Sequence, residues 1–324
     1  MRRAQLRAPA DQPTSSAFAR DVGLYLSRTP RQLPSRYLYD GLGSALFEAI
    51  CQLPWYPISR AETALLDEHA ADILTAASPV TDIVELGPGN GEKLGCLLAA
   101  RPSGSPPLRV HLVDVSAAAL TSAATRLGTL ADVQVVLHQA TYETGLEEAG
   151  SRPAGGRTLA VFLGSNIGNF DPPGADELLR RIHHALRPGD LFLLGADLVK
   201  PERELLSAYD DPLNVTAAFN RNLLVRINRE LGGTLDLSSF RHRAVWNGER
   251  SRVEMHLVST RPQRVRIPGA GLEFTMTDGE SIWTESSYKY TLDGLSAILT
   301  RAGFTNRESW THPTARFALT LAGL

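Results

Sequence analysis

The twelve residues Asp82–Lys93, D-I-V-E-L-G-P-G-N-G-E-K, constrain the fold more than any other stretch of the chain. Ile83, Val84 and Leu86 form an apolar run that suits a buried parallel strand. Glycines at 87, 89 and 91 then let the backbone turn tightly and approach a ligand with no Cβ in the way, before a helix begins. Strand, glycine turn and helix together make a cofactor cradle. The glycine spacing departs from the G-x-G-x-x-G of dinucleotide sites, and the acidic Glu85 stands just before the turn. About 20 residues on, Val110-His111-Leu112-Val113 ends at Asp114, where a carboxylate would accept both hydroxyls of a ribose. A nucleoside-bearing cofactor follows from the pair, and at this point a nicotinamide dinucleotide stays open.

At 324 residues and 43% hydrophobic content, the chain can bury a large core in one extended or two intimately joined domains. Its 33 basic and 35 acidic residues leave a net charge of −2, which argues against a nucleic-acid partner and favours a small-molecule substrate. Cys51 and Cys96 lack metal-ligand spacing and read as core thiols, so neither a disulfide framework nor a metal is expected. There is no apolar run long enough to span a membrane, and residues 1–19 lack the apolar centre of a secretory signal. The expectation is a cytoplasmic monomer with no membrane partner, its first 19 residues disordered or loosely packed.

Apolar positions spaced by three and four predict helices over 18–27, 44–50 and 61–77, ahead of the sheet. Beyond the glycine loop, strand-like runs recur at 110–113, 133–137, 160–163 and 191–194, with helices over 117–127 and 175–186. This alternation implies a parallel, doubly wound sheet. After Asp197 the pattern changes to helices over 202–209 and 215–231, then strands over 252–258 and 273–276, which reads as a second lobe with a sheet exposed on one face. A helix over 292–302 and a strand over 317–321 close one lobe or the other. The expected boundaries are therefore a cofactor domain over 20–198 and a second, smaller α+β lobe over 199–324, with the helix over 61–79 packing on the second lobe.

An acidic strand end followed by G-x-G resembles the class I S-adenosylmethionine (SAM) methyltransferases, as does the turn Leu186-Arg187-Pro188-Gly189. The blocks Tyr39-Asp40-Gly41-Leu42-Gly43-Ser44, Phe162-Leu163-Gly164-Ser165-Asn166-Ile167-Gly168-Asn169, Ala208-Tyr209-Asp210-Asp211, Val215-Thr216-Ala217-Ala218-Phe219-Asn220-Arg221-Asn222, Glu254-Met255 and Thr284-Glu285-Ser286-Ser287 resemble one family within that class. It is the SAM-dependent histidine Nα-methyltransferases of ergothioneine biosynthesis, and the likeness runs from about residue 21 to the C-terminus. It implies a class I methyltransferase sheet of Rossmann-like, doubly wound form, with a substrate-binding lobe, and SAM as methyl donor.

Carried over position by position, the resemblance implies SAM contacts from Gly87, Lys93, Asp114, Thr141 and Tyr142. Thr141 stands where family members often carry an acidic residue. The resemblance also implies Tyr56, Asn169 and Tyr209 at the α-amino and α-carboxylate end of the amino acid, with Tyr39 nearby and Asn169 and Tyr39 closest to the chemistry. Tyrosine hydroxyls donate to a carboxylate while their rings exclude water, and an Asn oxygen accepts from an amine. In this reading Glu285 and Ser287, two apart on a strand and so on one face, meet the two ring nitrogens of histidine; Ser286 turns away or contributes through its backbone. Met255 is the apolar wall against the ring. At Trp55-Tyr56-Pro57 the family more often has two consecutive tyrosines, of which Tyr56 keeps the first.

The implied reaction is in-line transfer of methyl from sulfonium to nitrogen, in which positioning carries most of the work. No family block supplies a His as base, and three rounds would give the betaine hercynine. A same-family rival is an α-N-methyltransferase for tryptophan or tyrosine, with Glu285 as the discriminator, since an indole or phenol would leave that carboxylate badly paired. A nicotinamide oxidoreductase is disfavoured by the missing third-glycine spacing. A SAM-sensing or partner-binding protein is disfavoured by the intact second-lobe blocks.

Overall fold

A computed structural model describes residues 5–6, 15–130, 132–149 and 156–324. In chain order the elements are β1 (Gln5–Leu6), α1 (Ser15–Leu26), β2 (Arg31–Gln32), α2 (Gly41–Gln52), α3 (Ile58–Ala77), β3 (Val80–Leu86), α4 (Glu92–Ala99), β4 (Leu108–Asp114), α5 (Ala117–Leu127), β5 (Val133–Gln139), α6 (Tyr142–Ala149), β6 (Arg157–Phe162), α7 (Pro172–Ala185) and β7 (Leu191–Asp197). There follow α8 (Glu202–Tyr209), α9 (Val215–Leu231), β8 (Phe240–Asn247), β9 (Arg252–Ser259), β10 (Gln263–Ile267), β11 (Leu272–Met276), β12 (Ser281–Tyr288), α10 (Leu292–Arg301), β13 (Thr305–Thr311) and β14 (Phe317–Gly323).

Two compact units divide the chain. The first holds Ile58–Val199 and Lys289–Leu324 with β1, around an eight-stranded sheet in the order β1-β5-β4-β3-β6-β7-β14-β13. Strands β5 to β7 run parallel, and β14 pairs antiparallel with β7. The chain leaves β3 toward β4 and β5, then returns to add β6 and β7 on the other side. The carboxyl ends of β3 and β6 therefore flank a topological switch point, where doubly wound sheets leave a crevice for ligands. β7 reads Leu-Phe-Leu-Leu-Gly-Ala-Asp and is buried throughout, as a strand covered on both faces must be.

The second unit holds Lys200–Tyr288 and the described part of Pro13–Pro57. Its sheet runs β2-β12-β9-β8, with β10 and β11 as a separate hairpin, and α9 packs on β8 and α2. β9 alternates between buried Val253, Met255 and Leu257 and half-buried Glu254 and His256, as a strand with one face on the core does. Asp40 caps α2 by accepting from the Gly43 amide at 2.8 Å and accepts from Asn222 of α9 at 2.7 Å, which ties the two helices together.

These units do not follow the boundaries drawn on the sequence. Residues 20–57 leave the expected cofactor domain because β2 adds in parallel to the edge of β12 and α2 packs on α9. Residues 289–324 leave the expected second lobe because β14 pairs with β7 along its whole length. The helix expected over 61–79 to pack on the second lobe is α3, which packs on α4 and β14 within the first unit. Of residues 1–19, β1 pairs with β5, and α1 begins at Ser15 with Phe18 buried 4.6 Å from the Tyr37 ring; residues 1–4 and 7–14 lie outside the described residues. Among the described residues no helix is long and apolar enough to cross a membrane.

Asp197, the last residue of β7, is closed off from solvent with Lys289, whose ammonium lies 3.0 Å away. Removing one member of such a pair leaves the other desolvated, whereas replacing both with neutral groups is often tolerated. Lys289→Met is expected to lower stability by about 3 kcal/mol in urea denaturation, and Asp197→Asn/Lys289→Met to recover most of that loss.

Candidate active site

The first unit gathers its polar groups at the switch point. Gly87 follows β3 with φ +72°, and its amide donates to the Val113 carbonyl at 2.8 Å. A Cβ on Gly87 would lie 2.8 Å from Asn166 Nδ2 and 2.9 Å from the Tyr142 hydroxyl, so a side chain there would displace both, on a backbone conformation that already favours glycine. A Cβ on Gly91, at φ +74°, would lie 2.9 Å from the Ala123 backbone instead, so this glycine lets α4 and α5 approach. Over Gly89 nothing lies within 4 Å of a Cβ position, so the middle of the loop faces open space.

Around this turn stand three carboxyl groups. Glu85 is buried, its Oε2 has no hydrogen-bond partner, and desolvation outweighs the Lys93 charge to push its carboxyl up to about 8. Asp114, at the carboxyl end of β4, accepts from the Ser116 amide at 2.8 Å, and desolvation raises it to about 6. Glu62, on α3, is fully buried: it accepts from the Gly164 amide at 2.8 and 2.9 Å and holds the Lys93 ammonium at 2.5 Å. Lys93 is thus tied to a buried partner and is not a freely solvated helix charge. Thr141 is exposed and its hydroxyl lies 3.3 Å from that of Thr144 within the first turn of α6. Tyr142 packs its ring edge-on to Phe162 at 5.3 Å, with its hydroxyl beside Gly87. Asn169 is half-buried and ends the short 3-10 turn Asn166–Asn169 that follows β6.

The second unit gathers the remaining candidates. Tyr39, Phe47, Tyr56, Tyr209 and Phe219 form a chain of ring contacts with centroids 5.4 to 6.3 Å apart. β12 and β9 are registered so that Glu285 lies opposite Met255, after an irregularity between Trp283 and Glu285. Met255, Glu285 and Ser287 are all buried, while Ser286 points to the other face and is only half-buried. The Tyr209 hydroxyl donates to Ser287 Oγ at 2.8 Å, which joins the tyrosine cluster to the strand that carries Glu285. The two histidines of this unit are engaged elsewhere. His256 Nε2 lies 3.2 Å from Glu254 on the face opposite Met255, and His242 Nε2 lies 2.7 Å from the Tyr209 carbonyl.

A family model described as "Histidine-specific methyltransferase, SAM-dependent" matches residues 18–324. The chain belongs to that family. It is 40% identical to the histidine N-alpha-methyltransferase of Mycolicibacterium smegmatis over 97% of both chains. It is also 40% identical to the enzyme of the same name from Mycobacterium tuberculosis, over 94% of both chains. Ergothioneine biosynthesis protein 1 of Neurospora crassa is 26% identical over 79% of this chain and 31% of its own length.

A SAM-dependent methyltransferase must cradle a sulfonium nucleoside, and the residues at the switch point fit one. The loop is open over Gly89, a buried carboxyl with an unpartnered oxygen stands at its base, and Asp114 ends the next strand, where ribose hydroxyls would be accepted. Glu62 and Asn166 were not singled out from the sequence. Glu62 had a readable signal, a carboxylate on the stripe Ile58, Glu62, Leu65, Leu66, Ile73 that otherwise faces the core. Asn166 had none beyond its place in a family block.

Gly87→Ala is expected to weaken SAM binding roughly tenfold or more in calorimetry. Gly104→Ala, at φ +78° with nothing within 4 Å of its Cβ, isolates backbone strain and should leave SAM binding unchanged. Folded Glu85 keeps its proton up to about pH 8, while the unfolded chain releases it near the ordinary value of 4.5. Its stabilising contribution is therefore complete below that value and is lost as pH rises through the window, by at most about 1.4 kcal/mol per pH unit. Glu85→Gln, neutral throughout, should gain in melting temperature over the parent as pH rises from about 5 to about 8, without cofactor added. A gap that stays constant across the window would refute a protonated Glu85.

Proposed function

We propose that the chain transfers methyl groups from SAM to the α-amino nitrogen of L-histidine, three times in succession, giving hercynine for ergothioneine biosynthesis. What carries the reading is the second unit's arrangement of a buried carboxylate, Glu285, opposite Met255 and two residues from Ser287. A carboxylate and a hydroxyl on one strand face match an imidazole, which offers one N–H donor and one acceptor nitrogen. An indole has no acceptor, and a phenol carries its donor and its acceptor on one oxygen where an imidazole spreads them over two ring nitrogens. Burial makes the mismatch costly, so the same residues both bind histidine and reject other aromatic side chains. The mycobacterial relatives named for histidine Nα-methylation, and the Neurospora relative named for ergothioneine biosynthesis, support the acceptor and the pathway.

SAM, when bound, supplies a methyl carbon on a positively charged sulfur whose departure as a neutral sulfide needs no acid. The chain's own contribution is to hold the amine neutral and aligned. His242 and His256 both face other partners, so no imidazole is proposed as base; the amine proton leaves through a tyrosine hydroxyl or water. Asn169 serves as the amine acceptor in this reading. Tyr39, Tyr56 and Phe219 present aromatic faces that favour a cation as the nitrogen loses its N–H donors, which supports continuation to the quaternary product.

Purified protein with SAM and a panel of amino acids should convert histidine alone, and mass spectrometry should find three added methyl groups at completion. Glu285→Val with Met255→Val should lower kcat/KM for histidine by about a hundredfold or more and raise that for tryptophan. Undiminished preference for histidine in this variant would remove Glu285 from the specificity assignment.

A further inference from the structure

His242, on β8, is buried, and each ring nitrogen has a partner whose chemistry is settled by the surrounding bonds. Nε2 lies 2.7 Å from the Tyr209 carbonyl oxygen, which can only accept, so Nε2 carries a proton. Nδ1 lies 2.9 Å from Asn220 Nδ2. A second bond favours that orientation of the amide, Nδ2 donating to the His256 carbonyl at 3.3 Å where the reverse would set oxygen against oxygen, and it leaves Asn220 Oδ1 buried with no hydrogen-bond partner. Nδ1 must therefore accept, and the imidazole is neutral with its one proton on Nε2. Burial pushes His242 below the ordinary histidine value, in keeping with this, although Asp210 Oδ1 stands 4.0 Å from Nε2 on the solvent side.

We infer that His242 is a positioning residue for the acceptor site, a single-tautomer imidazole, selected by Asn220, that fixes the end of α8 and with it the Tyr209 side chain. Tyr209 is the last residue of α8, where helix carbonyls lack partners within the helix and the terminal turn is free to fray. The His242 bond supplies that partner. From there the restraint passes along the Tyr209 side chain, whose hydroxyl reaches Ser287 at 2.8 Å and whose ring meets Tyr56 at 6.2 Å. Two residues assigned to opposite ends of the substrate thus depend on one backbone hydrogen bond. The inference rests on the proposed acceptor reading and adds to it residues that do not touch substrate.

The test compares His242→Leu, which deletes both bonds, with His242→Gln, whose amide nitrogen and oxygen can take the places of Nε2 and Nδ1. His242→Leu should raise KM for the amino-acid acceptor about tenfold while calorimetric SAM affinity stays within about twofold. His242→Gln should restore most of the loss. Equal impairment of both variants, or equal losses toward acceptor and SAM, would mean a purely structural role and overturn the inference. The parent protein, run on the amino-acid panel in parallel, separates this from the acceptor reading: if it methylates a different amino acid, that reading fails and KM is followed on the true acceptor. Nitrogen-15 spectra of the parent give a second decision should His242→Leu not fold. A proton on Nε2 and none on Nδ1 between about pH 6 and 8 supports the inference, and an Nδ1 proton there overturns it.

Discussion

The carboxylate of Glu62 is the interaction on which the donor site depends. A side chain with no exposed surface holds a charge only if partners replace the water it has lost. Here those partners are the Gly164 amide and the Lys93 ammonium, one from the loop after β6 and the other from α4 after β3. The loop after β6 and the helix after β3 are therefore tied to one residue of α3, which precedes β3 in the chain. Gly195 of β7 shows how little tolerance remains, since a Cβ there would come within 1.9 Å of Glu62 Oε1. The cradle is thus held by electrostatics beneath it as well as by the glycines along it.

The same enclosure explains why Glu85 behaves so differently from Glu62. Both are buried carboxyls near Lys93, yet Glu62 has the lysine within bonding distance and a backbone donor besides, while Glu85 has an oxygen with no partner. One ammonium satisfies one carboxylate, and the second takes a proton instead. A neutral acid at the base of an open glycine turn can release its proton when a cation arrives beside it, and the carboxyl groups of Glu62 and Asp114 around the same turn disfavour a pyrophosphate there.

Local order was legible in the sequence wherever local rules decide it. Helix α5 begins at Ala117 because Ser116 caps it, and α9 ends at Leu231 because Gly232 takes the left-handed conformation after it; both were readable from residue type and spacing. Strand β13, Thr-Asn-Arg-Glu-Ser-Trp-Thr, has no apolar alternation and is a strand only because β14 offers it an edge. The unit boundaries were misplaced for a related reason. The pairings β2 with β12 and β14 with β7 join segments far apart in sequence, and nothing within either segment records its partner. At the site, Gly87 and Asp114 announce themselves through strand-turn spacing, whereas Glu62 matters because of an amide 102 residues away.

Specificity and chemistry are consequently carried by different kinds of constraint. The donor cradle follows from sheet topology, since any chain that reverses strand order after a glycine turn leaves a crevice there. The residues proposed for the acceptor follow from side-chain register: Glu285 opposes Met255 only because the irregularity after Trp283 shifts β12 by one position against β9. Without that shift, the alternation of a regular strand would send Glu285 to the face now taken by Ser286 relative to the pairing at Trp283. A carboxylate placed by such an irregularity is set by the backbone of two strands, and the parallel addition of β2 to β12 braces one of them from the N-terminal segment. On the proposed assignment, a change of acceptor would arise by substitution at positions 255, 285 and 287 on an unchanged backbone, leaving the glycine turn and its buried carboxyls as they are.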